Sequence, residues 1–170
     1  QHCAAAGAGS GPKCPAGSIT SGGDNTTRTS CSECRAGYAC DGTSVEVECA
    51  AGTHADAGAS SCSPCLAGTA SSAGATNCTD CGVDDRFSSN EAAKCDRCQP
   101  GSFTSGGSNV TRTGCSFCPS GFSCSGASEK VECSAGYFAA ASSSVCSPCG
   151  DDSYYSGAGA GSCTKCSAGW

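Results

Sequence analysis

Residues 14–65 read Cys14-Pro-Ala-Gly17, a Ser/Thr/Gly run containing Thr20-Ser-Gly-Gly23 and Asn25-Thr-Thr-Arg-Thr29, then Cys31-Ser-Glu-Cys34, Cys40, Cys49 and Cys62-Ser-Pro-Cys65. The stretch returns 84 residues later as 98–149, with 30 of 52 aligned positions identical, no gap, and all seven cysteines on cysteines. Gly17, Gly37 and Gly52 fall on Gly101, Gly121 and Gly136. A repeat this strong means a protein built by iteration, which favours a structural or binding role over a lone active site.

Composition narrows the fold class. The chain has 20 cysteines in 170 residues, above the roughly 8–10 % that marks a disulfide scaffold. Leu, Ile, Val and Phe together number 13, less than half of what an ordinary hydrophobic core uses. Apolar burial therefore cannot offset the ordering entropy of the backbone, and covalent crosslinks must supply the rest. The formal charge is −6 with nine Lys plus Arg, so no basic patch is available for nucleic acid. No run of about 20 apolar residues is present to span a membrane. There is no initiator Met and no signal-type apolar segment, which reads as a matured chain or a window cut from a longer one.

Three N-glycosylation sequons stand at Asn25, Asn77 and Asn109, and Asn25 and Asn109 are repeat-equivalent. With the cysteine content they place the chain on the secretory pathway, extracellular or at the cell surface. The Ser, Thr, Ala and Gly richness also permits O-glycans.

Fourteen cysteines form seven Cys-x-x-Cys pairs: Cys31/Cys34, Cys62/Cys65, Cys78/Cys81, Cys95/Cys98, Cys115/Cys118, Cys146/Cys149 and Cys163/Cys166. The second cysteine is often followed by two residues, Gly and an aromatic, as in Cys34-Arg-Ala-Gly-Tyr38 and Cys118-Pro-Ser-Gly-Phe122. Each such cysteine is read as opening a loop that the next one closes, with the Gly in a turn and the aromatic laid on a neighbouring disulfide as a small core. Sequential closure gives Cys14–Cys31, Cys34–Cys40, Cys49–Cys62, Cys65–Cys78, Cys81–Cys95, Cys98–Cys115, Cys118–Cys124, Cys133–Cys146 and Cys149–Cys163. Closing a loop of about 15 residues is worth roughly 3 kcal/mol in the chain-entropy picture. An interlaced pattern, first with third and second with fourth, is the competing connectivity and stays open at this point.

The fold expected is small and disulfide-rich. It is an elongated rod of tandem cysteine-rich loops with short β-hairpins, little helix and a minimal hydrophobic core. Strand fragments are expected near Val45–Cys49 and Lys130–Cys133, and at Tyr137-Phe138 and Tyr154-Tyr155. The domain reading is 1–13 as the end of a preceding module, 14–97 and 98–166 as two cysteine-rich repeats, and 167–170 as the start of a following module.

Sequential pairing leaves Cys3 and Cys166 over. Joining the ends on paper gives Cys166-Ser-Ala-Gly-Trp170-Gln1-His2-Cys3, the short loop of Cys34–Cys40 with one extra residue. An inter-unit disulfide between Cys3 and Cys166 is therefore expected, with neighbouring copies forming a head-to-tail array or filament. The alternative is an ordinary Cys3–Cys14 bond with re-pairing downstream.

Other chemistries find little support. Cys-x-x-Cys sets can hold zinc, but here they run end to end, interrupted by single cysteines and beside sequons. Thioredoxin-like redox chemistry needs one such motif at a helix start. Asp84-Asp85 and Asp151-Asp152 match no calcium loop. His2 and His54 lack a Ser or Asp partner at a useful spacing. Arg28 and Arg112 lie beside sequons, within reach of an acidic partner or of Glu48 and Glu132. No catalytic site, metal or cofactor is expected.

The stretches Cys34-Arg-Ala-Gly-Tyr-Ala-Cys40 and Cys62-Ser-Pro-Cys65-Leu-Ala-Gly-Thr69 resemble the ephrin-receptor-like cysteine-rich repeats of protist surface and extracellular proteins. These are distantly similar to tumour-necrosis-factor-receptor and EGF-like modules. The resemblance covers nearly the whole chain and implies an elongated extracellular stalk or coat protein. It brings no catalytic residues, because such modules serve many roles. The chain departs from the pattern at Cys3–Cys14, which lacks a Cys-x-x-Cys, and in the loops Cys81–Cys95 and Cys149–Cys163, where acidic residues replace the Gly signature. The function expected is a structural repeat segment of a glycoprotein filament or surface coat, such as a protist flagellar hair. The alternative is a ligand-binding or adhesive stalk of a receptor-like ectodomain. Tyr154-Tyr155 and Trp170 are the one local excess of aromatics and are read as a module junction.

Overall fold

The structure is a computed structural model that describes residues 13–23, 28–82, 86–150 and 153–167. Among these there is no α-helix. Sixteen short strands form eight two-stranded hairpins. The first four pair β1 (Ser18–Ser21) with β2 (Ser30–Glu33), β3 (Tyr38–Cys40) with β4 (Glu46–Glu48), β5 (Thr53–His54) with β6 (Ser63–Pro64), and β7 (Thr69–Ala70) with β8 (Thr79–Asp80). The second four pair β9 (Ser102–Ser105) with β10 (Gly114–Phe117), β11 (Phe122–Cys124) with β12 (Lys130–Glu132), β13 (Tyr137–Phe138) with β14 (Ser147–Pro148), and β15 (Tyr154–Tyr155) with β16 (Thr164–Lys165). Between the sets a bridge joins Phe87 to Asp96. Strands of two to four residues cannot hold a sheet alone.

Covalent closure supplies what the strands lack. Nine disulfides join each cysteine to the next along the chain, from Cys14–Cys31 to Cys149–Cys163. They are the nine pairs of sequential closure, and none is interlaced. The loops they close span 6 to 17 residues.

The two residues between cysteine and glycine have a geometric reason. Arg35 O accepts a bond from Tyr38 N, with Gly37 at φ +83° between them. This is a type II turn whose third residue must be left-handed, hence the glycine. The same bond recurs from Ser18 to Pro15, Thr53 to Ala50, Thr69 to Leu66, Ser102 to Gln99, Phe122 to Pro119 and Tyr137 to Ser134. Gly37 O then accepts from Cys49 N, so the turn that opens a hairpin also holds the cysteine after it.

The chain divides into two compact units, one of residues 1–79 with 90–94, the other of 80–89 with 95–170. This division does not fall at the repeat boundary before Cys98. The loop closed by Cys81–Cys95 is shared, because Asn90–Lys94 return to the first unit through Glu91 N to Cys65 O and a bridge from Ala92 to Ala70.

Within each unit successive modules are joined by main chain. In the first, Gly17 N, Gly37 N and Gly52 N donate to Cys40 O, Ala55 O and Ser71 O of the next module, and Gly58 N and Gly74 N donate back to Cys34 O and Cys49 O. In the second, Gly101 N, Gly121 N and Gly136 N donate to Cys124 O, Ala139 O and Ser156 O, while Ser142 N and Gly159 N donate to Cys118 O and Cys133 O. Buried Ser71 and Ser156 add a side-chain bond each, to Thr53 O at 2.9 Å and Tyr137 O at 2.8 Å.

The core is made of cystine and small residues. Among the described residues the buried positions are cysteines, turn glycines such as Gly37 and Gly121, and Ala55, Ala70, Ala139, Ser71, Ser88, Thr104 and Ser156. This corrects the expectation of an aromatic core. Tyr38, Phe103 and Phe122 are only partly covered, and Tyr137, Tyr154 and Tyr155 are exposed. A lone hairpin has no second layer to close over a ring, whereas a cystine fits the gap between two turns.

Candidate functional site

The cation environments show how the two repeats diverge on one scaffold. In the first, the Arg35 guanidinium lies 3.7 Å from the centre of the Tyr38 ring, and its Nε is 2.8 Å from Glu46 Oε2. In the second the charge comes from the opposite strand. Pro119 replaces Arg35 and Lys130 replaces Glu46, with Lys130 Nζ 4.9 Å from the Phe103 ring centre and 5.9 Å from that of Phe122. Each arrangement covers an aromatic that the hairpin cannot bury.

Two clusters carry metal-ligating atom types: His54 with Cys65 and Cys78, and Cys34 with Cys40 and Glu46. In each, the two sulfurs are bonded to one another. A disulfide sulfur has no thiolate charge to donate, so neither cluster has the donor set of a zinc site. His54 Nδ1 lies 3.2 Å from Cys78 Sγ, a contact to a disulfide and not to a nucleophile or carboxylate.

Of the sequons, Asn77 and Asn109 are exposed, on different loops. Asn109 Oδ1 accepts a 3.1 Å bond from Arg112 Nη2, so this arginine serves the sequon loop itself. Val110 O in the same loop accepts from Gly82 N. Asn25, His2, Cys3, Asp84, Asp85, Asp151, Asp152 and Trp170 lie outside the described residues. Cys166 is exposed and free, with its amide bonded to Ser153 O.

The feature that sequence reasoning missed is a shallow groove in the second unit, about 420 Å³ in volume, between the β11–β12 and β13–β14 hairpins. Its apolar part is Val131, Tyr137 and Val145, respectively 60 %, 45 % and 66 % exposed. Ser123, Ser134, Ser144 and Glu132 complete the lining, and the Glu132 carboxylate itself is directed to the turn at Gly159. The repeat alignment shows what is particular here. The first repeat carries Thr53 for Tyr137, Ser61 for Val145, Ala39 for Ser123 and Ala50 for Ser134. The second repeat also shows Phe117, 80 % exposed, where the first has Glu33. Each substitution is unremarkable alone, and only the fold collects them from separate strands and loops.

A scan against protein-family models finds no match, and a search of curated proteins finds none either. The structure defines a class: a small, disulfide-rich, all-hairpin protein of tandem modules. Nine disulfides are the chemistry of an oxidising compartment, which fits a secreted or extracellular protein. No described helix is long and apolar enough to cross a membrane.

Proposed function

We propose that these modules form a structural segment of an extracellular glycoprotein filament or cell-surface coat, with copies arranged head to tail. One observation carries it: within each unit successive modules are bonded through main-chain atoms, in the same pattern in both units. Such a pattern has no intrinsic end and leaves the side chains free. Nine short covalent loops make each module stiff and resistant to proteolysis. N-glycans at Asn25, Asn77 and Asn109 shield the surface, and Cys166 links to Cys3 of a neighbour.

The test is secretion from a glycosylating eukaryotic host, followed by intact mass and non-reducing peptide mapping. The expected result is mass removable by peptide N-glycanase, a Cys166 peptide joined to a Cys3 peptide, and linear particles in negative stain. A species of unit mass with Cys3 and Cys166 each bonded within its own chain overturns the filament. A second reading, a ligand-binding stalk, is favoured by the groove at Tyr137, whose Tyr137 and Val145 stand where the first repeat has Thr53 and Ser61.

A further inference from the structure

We infer that the groove lined by Val131, Tyr137 and Val145 is a binding site for a neutral carbohydrate, with one pyranose ring laid against Tyr137. The inference goes beyond the structural role and does not depend on it.

Two kinds of chemistry enter this groove together. Relative to the first repeat it gains a phenol and an isopropyl group at 137 and 145, and hydroxyls at 123 and 134. An apolar peptide side chain or an acyl chain would cover the first pair but leave the serine hydroxyls without partners. An anionic ligand meets no cation in the lining and a chain of net charge −6. A pyranose satisfies both halves. Its axial C–H face packs on an aromatic ring, and its equatorial hydroxyls exchange bonds with serines. The groove is open and shallow, which suits a sugar ring better than a fully engulfed apolar ligand.

The site stands on fixed backbone. Tyr137 N donates to Ser134 O, Tyr137 O accepts from Ser156 Oγ at 2.8 Å, and Tyr137 pairs with Pro148 across the hairpin. The ring can therefore be changed without moving its support. Thr53, at the equivalent place on β5, shows that the module accepts a small residue there.

The experiment titrates the oxidised, isotope-labelled protein with chitotriose, cellotriose and mannotriose and follows amide shifts. At least one sugar should produce saturable shifts confined to 123–145, with a Kd on the order of 1 mM. The variants Tyr137→Thr and Val145→Ser, which restore the first repeat's lining, should weaken binding roughly tenfold or more. Tyr137→Phe should retain it, and Tyr155→Ala, an exposed tyrosine outside the groove, should leave it unchanged. Absence of saturable shifts with all three sugars overturns the proposal. So does equal binding by Tyr137→Thr, or groove shifts that track protein concentration and not sugar, which would mark a self-association face.

Discussion

Glu132 Oε1 lies 2.6 Å from the point where a β-carbon on Gly159 would stand. The same relation holds for Glu48 with Gly74 at 2.7 Å and Glu33 with Gly58 at 3.0 Å. All three glycines are left-handed, at φ +68° to +76°. Two other modules place a side chain at this turn position, Glu91 at φ +57° and Ser142 at φ +64°. There the residue before the corresponding cysteine is Pro64 or Phe117 and not a glutamate. The carboxylate and the turn side chain thus share one space, and each of these five modules uses one of them.

Glu91→Gly and Ser142→Gly should therefore stabilise the protein. A left-handed residue costs about 1–2 kcal/mol, and glycine returns about 0.5–1 kcal/mol of that through its looser unfolded chain. The net gain is near 0.5–1 kcal/mol, to be read by calorimetry of the oxidised protein. Gly159→Ala should destabilise the protein, chiefly through the backbone cost of a left-handed alanine, with the Glu132 carboxylate swinging aside to make room. A melting temperature unchanged by all three would mean the turns relax freely.

Disulfide removal should rank by loop length and stay local. Replacing the cysteines of the 17-residue loop Cys98–Cys115 should cost about 3.1 kcal/mol, against about 2.2 kcal/mol for the six-residue loop Cys118–Cys124, before any packing loss. Both Cys118 and Cys124 are buried, so truncation there adds a cavity and narrows the gap. Native-state hydrogen exchange should show lost protection in the adjoining modules alone. Loss of protection throughout the chain would show that the units fold all-or-none.

Asp41 should titrate below the ordinary aspartate value of 3.8, because its carboxylate accepts bonds from the Thr43 hydroxyl at 2.6 Å and the Thr43 amide at 3.0 Å. The folded-state value is depressed. Its contribution to stability is thus present above the unfolded pKa and is lost as pH falls through the folded one. Thr43→Ala should move the carboxyl resonance midpoint up toward the ordinary value. No movement would assign the shift to the backbone amide alone.

Zinc added to the oxidised protein should bind without stoichiometry, because the sulfurs near His54 and Glu46 are tied in disulfides. Reduction should release the fold and expose thiolates that do bind it. Calorimetric titration of both forms distinguishes the cases, and tight zinc binding by the oxidised form would reopen a metal role.

Much of this was legible in the chain and some was not, for physical reasons. Cysteine spacing and the two residues before glycine are local, so sequential loops with a glycine turn could be proposed against the interlaced alternative, while the choice between the two and the type II geometry came from the structure. The aromatic after the glycine looked like core and is not, because hydrophobicity says nothing of whether a second layer exists. The exclusion between Glu33, Glu48 or Glu132 and a turn side chain links positions about 25 residues apart. Val131, Tyr137 and Val145 share one short window of sequence, but they fall on β12, on β13 and before β14, and no strand or helix periodicity marks them as a group.

The carbonyl of Cys133 bound by the amide of Gly159 carries a consequence for ancestry. A neighbour recognised through peptide groups is recognised whatever its side chains are. An unequal crossover that inserts or deletes one such module therefore leaves every junction chemically intact. Gene length can drift in steps of one loop, and newly copied loops are at liberty to acquire chemistry, as the second copy has done around Tyr137.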